Sequence, residues 1–350
     1  MKKKISFLLA SLLCFGALAG CNKRPNSGFS GTYWLESHSA STVQKGFYEK
    51  IEYDVSFMEP DGDFAPVLHE MTEGYLNFTV DGEKSKYIAE LYEEGGLYVY
   101  HTKLEIYGEY TFGEATYKVD GDITESITKF KGMDDNFACV ESVKKIKNVY
   151  PTIQTPLNAD DFVTVTAEFK TVYDGKKATL TVDAKDDVSK GVLSSVQEPT
   201  TIKKYNKKAY IDNELMLLLF RNFSYDNSLS YTFNTLETTT GTLKEIIGQV
   251  RLTQATTEAN SNEAIRSFPL ESYIDNLGGR IPRKFSCFGV TFKTTGEYSQ
   301  DFAYAYYANK IEEEGIVQND TRHYLIKCFR PAIYNIGYFV YTLDSVTHER

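Results

Sequence analysis

The sequence predicts a β-rich α+β fold, with two antiparallel-sheet units and a few short helices that together could form a half-barrel. Three observations carry this. Apolar and polar residues alternate with a period of two over several stretches, as a sheet with one buried face requires. Glycine-containing dipeptides separate those stretches at hairpin spacing. Aromatic residues make up 14% of the chain, with 26 Tyr and 22 Phe, and aromatics favour pleated, half-buried surfaces.

The first strand is predicted at Ile51, Tyr53, Val55 and Phe57, which alternate with Lys50, Glu52, Asp54 and Ser56. Leu76, Phe78 and Val80 repeat the pattern. Asp81-Gly82 is expected to turn the chain into a strand near Lys86–Glu93, and Glu94-Gly95-Gly96 into Leu97–Tyr107. Asp120-Gly121 is read as a turn between Thr116–Val119 and Ile123–Phe130. These elements predict an antiparallel meander over about residues 46–131.

Pro151 and Pro156 lie close together ahead of Asn158, Asp160 and Asp161, and they place a domain boundary near 155. The predicted units are residues 31–154 and 155–350. A second hairpin follows, with Val163, Val165, Ala167 and Phe169 in one phase and Asp174-Gly175 turning into Ala178–Ala184. The apolar run Leu215–Phe220 fits either a helix or a buried strand, since periodicity does not separate them. Thr242–Val250 and Pro269–Leu277 read as short helices, the second opened by its proline. Strands are expected again at Phe288–Lys293, Tyr324–Phe329 and Gly337–Leu343.

The N-terminus carries a different signal. Met1-Lys2-Lys3-Lys4 precedes the 14-residue apolar run Ile5–Leu18, which ends in Leu18-Ala19-Gly20-Cys21. A charged start, an apolar middle and small residues before a cleavage point make an export signal, and 14 residues are short for a membrane span. The segment Leu18-Ala19-Gly20-Cys21 resembles the lipobox of bacterial lipoproteins. That resemblance implies a signal peptide over residues 1–20, with Leu18, Ala19 and Gly20 recognised by the signal peptidase. It further implies a diacylglyceryl thioether and fatty acyl chains, such as palmitate, on Cys21 at the mature N-terminus. Two acyl chains anchor a protein stably where one does not. Residues 21–30 are polar with Pro25 and Gly28, and they read as a tether. The body is then exported and displayed at the cell envelope, held to the membrane by lipid.

Charge and motifs narrow the function classes. The chain has a formal net charge of −10, and loss of Lys2, Lys3 and Lys4 with the signal leaves 35 basic against 48 acidic residues. Such a surface repels phosphate backbones, and no basic cluster is interleaved with aromatics, so no nucleic-acid partner is expected. The five histidines are not spaced as metal ligands, and Cys139, Cys287 and Cys328 include no CxxC pair. The three cysteines read best as small buried apolar residues, while one disulfide, Cys287 with Cys328, would be compatible with an oxidising compartment. Ser126 with Lys129 and Ser142 with Lys145 match the two-letter SxxK pattern, which needs a helix to bring Ser and Lys together. Asp61/Asp63 and Asp120/Asp122 flank glycines and fit turn chemistry, as they lack the remaining ligands of a calcium loop.

No cofactor, metal or catalytic residue is therefore predicted. Dense aromatics at Tyr298–Tyr307 and Ile333–Tyr341 suit cavity linings and interfaces. The expected function is non-catalytic binding of a small amphiphilic ligand. The alternative is a surface interaction or adhesion protein that contacts an envelope protein or glycan. A strongly curved sheet over short helices would give an apolar groove similar to that in which lipoprotein-localisation proteins hold an acyl chain, a likeness of architecture only.

Overall fold

The computed structural model describes residues 45–59, 76–112, 115–132, 135, 137–151, 162–174, 177–196, 198–202, 215–222, 230–237, 242–252, 268–270, 283–294, 301–313, 316–319, 323–332 and 336–347. Strands dominate. In chain order they are β1 (Tyr48–Met58), β2 (Asn77–Val80), β3 (Lys86–Glu94), β4 (Leu97–Phe112), β5 (Ala115–Phe130), β6 (Cys139–Pro151), β7 (Phe162–Asp174), β8 (Lys177–Ala184) and β9 (Thr200–Ile202). Then follow β10 (Ser230–Glu237), β11 (Thr242–Leu252), β12 (Phe268–Leu270), β13 (Arg283–Thr294), β14 (Asp301–Glu313), β15 (Ile316–Asn319), β16 (Leu325–Pro331) and β17 (Tyr338–Thr347). Two short helices, α1 (Asp187–Val192) and α2 (Met216–Leu219), complete the described elements with a few single turns.

Every strand pairing is antiparallel, as alternation and turn spacing predicted. All seventeen described strands are connected through one antiparallel sheet. The β9 end runs through β8, β7, β6, β5, β4 and β3 to β1. From β1 the order continues through β17, β16, β14, β13 and β11 to β10. On either side of the expected boundary, β6 and β7 pair from Glu141↔Val172 to Pro151↔Phe162. The expected boundary near 155 lies outside the described residues. No pairing among the described residues joins β9 to β10, so the sheet keeps two edges.

The sheet curls because its inner face has too little else to cover it. Ile51, Tyr53, Val55, Leu91, Val165, Phe169, Leu180, Tyr341 and Val346 are all at most 4% exposed and share one core cluster. α2 is four residues long and cannot shield that many strands. Burial on this scale is achieved by strands of one sheet facing each other across the helix, each large apolar side chain contributing about 1.5–3 kcal/mol. The opposite face of β4–β8 is wet. There the register aligns Lys103, Glu125, Lys145, Glu168 and Asp183 across five strands, and exposed cross-strand charges of this kind add little stability.

A second cluster closes one end of the curl. Phe78 meets Tyr110 at 4.5 Å and Phe57 at 5.5 Å between ring centroids, and Tyr117 stacks on Phe162 at 4.4 Å. The long β4–β5 hairpin reaches this end by bending. Gly121 takes φ +88° and the register slips between Ile106 and Tyr107. Asp120-Gly121 is thus a bulge within one 16-residue strand rather than the expected turn.

Other expectations resolve as follows. Gly95-Gly96, with φ +61° and +82°, forms the predicted two-residue hairpin between Glu94 and Leu97. Asp81-Gly82 does not make a hairpin, because β2 and β3 both pair with β4 and lie end to end along it. Leu215–Phe220 is helical at its centre. Thr242–Val250 is strand β11, not a helix, held between β10 and β13. Pro269 lies within the short strand β12, and residues 271–277 fall outside the described residues.

Candidate functional site

Among the described residues, the concave side of the sheet holds the buried ion pair of Glu49 and Arg221. Glu49 belongs to the inward phase of β1, together with Ile51, Tyr53 and Val55, and it is 3% exposed. Arg221 follows α2 in the turn Phe220–Asn222 and is 2% exposed. Its Nη1 donates to Glu49 Oε1 at 2.6 Å and its Nη2 to Oε2 at 3.2 Å. This parallel two-bond geometry is the strong form of the arginine–carboxylate pair. The guanidinium also lies 4.9 Å from the centroid of the Tyr324 ring, within cation–π range.

The segment that carries Arg221 is itself an internal guest. Leu215, Met216, Leu217, Leu218 and Phe220 are all buried. Two carbonyls of this segment are capped by side chains. Tyr307 donates its hydroxyl to the Leu217 carbonyl at 2.8 Å, and His323 Nδ1 donates to the Arg221 carbonyl at 3.2 Å. His323 holds a left-handed φ of 45°, which costs on the order of 1 kcal/mol for a non-glycine residue. A cavity of about 10 Å³ lies beside the pair, between Glu49, Tyr53, Tyr100, Leu217 and Arg221. That is room for one water.

Electrostatics follow from burial. Desolvation alone would lower the Arg221 pKa, but the Glu49 charge and hydrogen bonds outweigh it and hold the guanidinium above its ordinary value. Burial pushes the Tyr53 and Tyr100 hydroxyls upward, so both stay neutral. Burial also pushes the Cys328 thiol up to about 12, which leaves it inert.

A second polar group lies where β5 and β6 part. Their ladder ends at Ile123↔Lys147, and Asp122 Oδ2 accepts the next available N–H, from Val149, at 2.9 Å. Asn148 Nδ2 donates to Thr124 Oγ1 at 3.0 Å and to Tyr150 Oη at 3.3 Å. Burial pushes the Asp122 carboxyl up to about 7, against the opposing pull of the Val149 N–H and the Lys147 charge. The folded state therefore binds this proton more tightly than the unfolded chain, and its contribution to stability falls as pH rises from about 4 to about 7. Asp122→Asn keeps an acceptor for Val149 and removes the charge. We expect it to raise stability by about 2 kcal/mol at pH 7.5, and by almost nothing at pH 4. Urea unfolding of both proteins at the two pH values checks this, and an equal gain at both would refute the assignment.

The sequence-singled motifs disperse. Three residues apart on a strand, Ser126 is buried and Lys129 outward, bound to Glu94 at 3.0 Å. Ser142 likewise bonds Thr128 on the inner face while Lys145 is exposed. Neither motif brings its own serine and lysine onto one face. His101 bridges Glu125 at 2.8 Å and Glu90 at 3.4 Å on the wet face, and among the described residues no acid, His and Cys group could hold a metal. Cys139 and Cys328 are both buried, and Cys328 is a free thiol. The alternative Cys287–Cys328 disulfide does not form, because β14 lies between their strands, with Cys287 opposite Ala308 and Cys328 opposite Ala305. Leu18, Ala19, Gly20 and Cys21 lie outside the described residues.

Sequence reasoning passed over Glu49 and Arg221. The signal was present: Glu49 occupies the apolar phase of its strand, and Arg221 directly ends an apolar run.

The fold and site together define an open, curled antiparallel sheet closed around its own short helix. No family model and no curated protein matches the chain. Among solved structures it is similar to a β-barrel-like protein from Brucella abortus that represents a domain of unknown function, DUF1849. That likeness covers 88% of this chain and 100% of the other at 8% identity, with a TM-score of 0.44. At that level it gives no guide to function.

Proposed function

We propose that the chain is a lipid-anchored envelope protein that binds a small amphiphile within the curve of its sheet, without catalysis. The observation that carries this reading is the internal guest. The concave face already receives an apolar segment, Leu215–Phe220, ended by one charged group seated on a buried counter-charge. An apolar chain with a polar head has the same design. In this reading the segment holds the amphiphile's place when none is bound, which accounts for a remaining cavity of only about 10 Å³.

Two measurements test it. The mature chain, residues 21–350, made without acylation and never exposed to detergent, should retain an amphiphile in native mass spectrometry or take one up on addition. Failure of both would favour the alternative, contact of the charged outer face with an envelope protein or glycan. For the anchor, Cys21→Ala should leave the precursor uncleaved and without acyl chains, read by mass and by labelling with a fatty acid. Normal acylation of that variant would sink the lipoprotein reading.

A further inference from the structure

The placement of the two buried charges specifies the head of the guest. Arg221 travels with the internal segment, whereas Glu49 belongs to the sheet. A ligand that takes the segment's place meets what the sheet presents there. That is the Glu49 carboxylate at 3% exposure, the face of the Tyr324 ring, and apolar walls from Ile51, Leu91 and Leu325. A carboxylate beside an aromatic face in a desolvated site attracts a cation and repels an anion. Leaving Glu49 ionised against an uncharged or anionic head would cost several kcal/mol.

We infer that Glu49 and Tyr324 form a receptor for the cationic head of an apolar-chain ligand, an alkylammonium or alkylguanidinium, and that Arg221 occupies this receptor as an internal surrogate. The inference rests on the amphiphile reading and narrows it to one charge type. It also explains why an ion pair is retained where a pair of apolar side chains would serve stability as well. An exchange of one cation for another leaves the buried charge balanced, so binding requires no proton uptake at the site.

The experiment compares three twelve-carbon probes on the mature chain, dodecylammonium and dodecanoate below their micellar concentrations and dodecanol below its solubility limit. Calorimetry should give a dodecylammonium affinity at least tenfold above that of dodecanol, with dodecanoate weakest. Glu49→Gln should lose the preference. Should that variant fail to fold, the double variant Glu49→Leu/Arg221→Met serves instead, since it keeps the net charge and leaves no lone buried ion. A preference that persists in the double variant would be a general effect of the acidic surface and would overturn the inference. Equal binding of the three probes, or preference for dodecanoate, would overturn it while leaving the amphiphile reading in place. No binding of any probe, with no retained mass, would remove both.

Discussion

Arg221→Met is expected to cost the fold about 3–5 kcal/mol, because it strands the Glu49 carboxylate in a site 3% exposed. Methionine fills much of the volume and its thioether tolerates the site, so the loss measures the orphaned charge rather than a hole. The companion change Glu49→Leu should restore most of that loss, since the charge is then gone as well. Chemical unfolding of the single and double variants forms a double-mutant cycle. A coupling near zero would mean that the pair is not desolvated as described, and it would also remove the basis for a cation receptor.

Gly108→Ala is expected to be nearly as damaging, at about 3 kcal/mol, the upper end of overpacking effects. A Cβ at this position would lie 2.2 Å from the Thr79 carbonyl oxygen and 2.8 Å from the Phe78 ring. The first neighbour is backbone, so β2 must move away from β4 and its pairing with residues 108–111 must break. Loss of β2 uncovers the aromatic end cluster of Phe57, Phe78 and Tyr110. A thermal melt reports the destabilisation, and hydrogen exchange should localise it to β2 and the far half of β4. Gly337 is a second site of the same kind, 2.5 Å from the Met58 carbonyl oxygen. A Gly108→Ala protein with unchanged stability would show that the two strands are not in contact at this point.

Much of the sheet was legible because its signal is local. The alternation Ile51, Tyr53, Val55 and the turn Gly95-Gly96 act within a few residues, and both behave as read. The errors share one cause, which is tertiary pairing. Leu243, Ile246, Ile247 and Val250 are spaced as on a helix face, yet strands β10 and β13 on either side impose a strand. Asp120-Gly121 has ideal hairpin composition, but β4 pairs straight past it, and the glycine bends the strand instead of reversing it. The candidate site was readable only in fragments. Glu49 and Arg221 are 172 residues apart, so each looked like a polar residue in an apolar phase until the fold brought the two together.

The pairing of β1 with β17, at the middle of the strand order, has a consequence for how the chain must be made. The first and last described strands of the sheet are partners, Lys50↔Thr347 through Met58↔Tyr338. The sheet cannot be completed before β17 is made, because its central seam waits for residues 338–347. Closing contacts over nearly the whole chain length is slow. Under the export reading proposed above, that delay keeps the polypeptide threadable until β17 has crossed. The same seam makes the tail a vulnerable part. A premature stop before residue 338 would not trim an edge. It would split the sheet along its centre and bare β1 and β16 to any strand nearby.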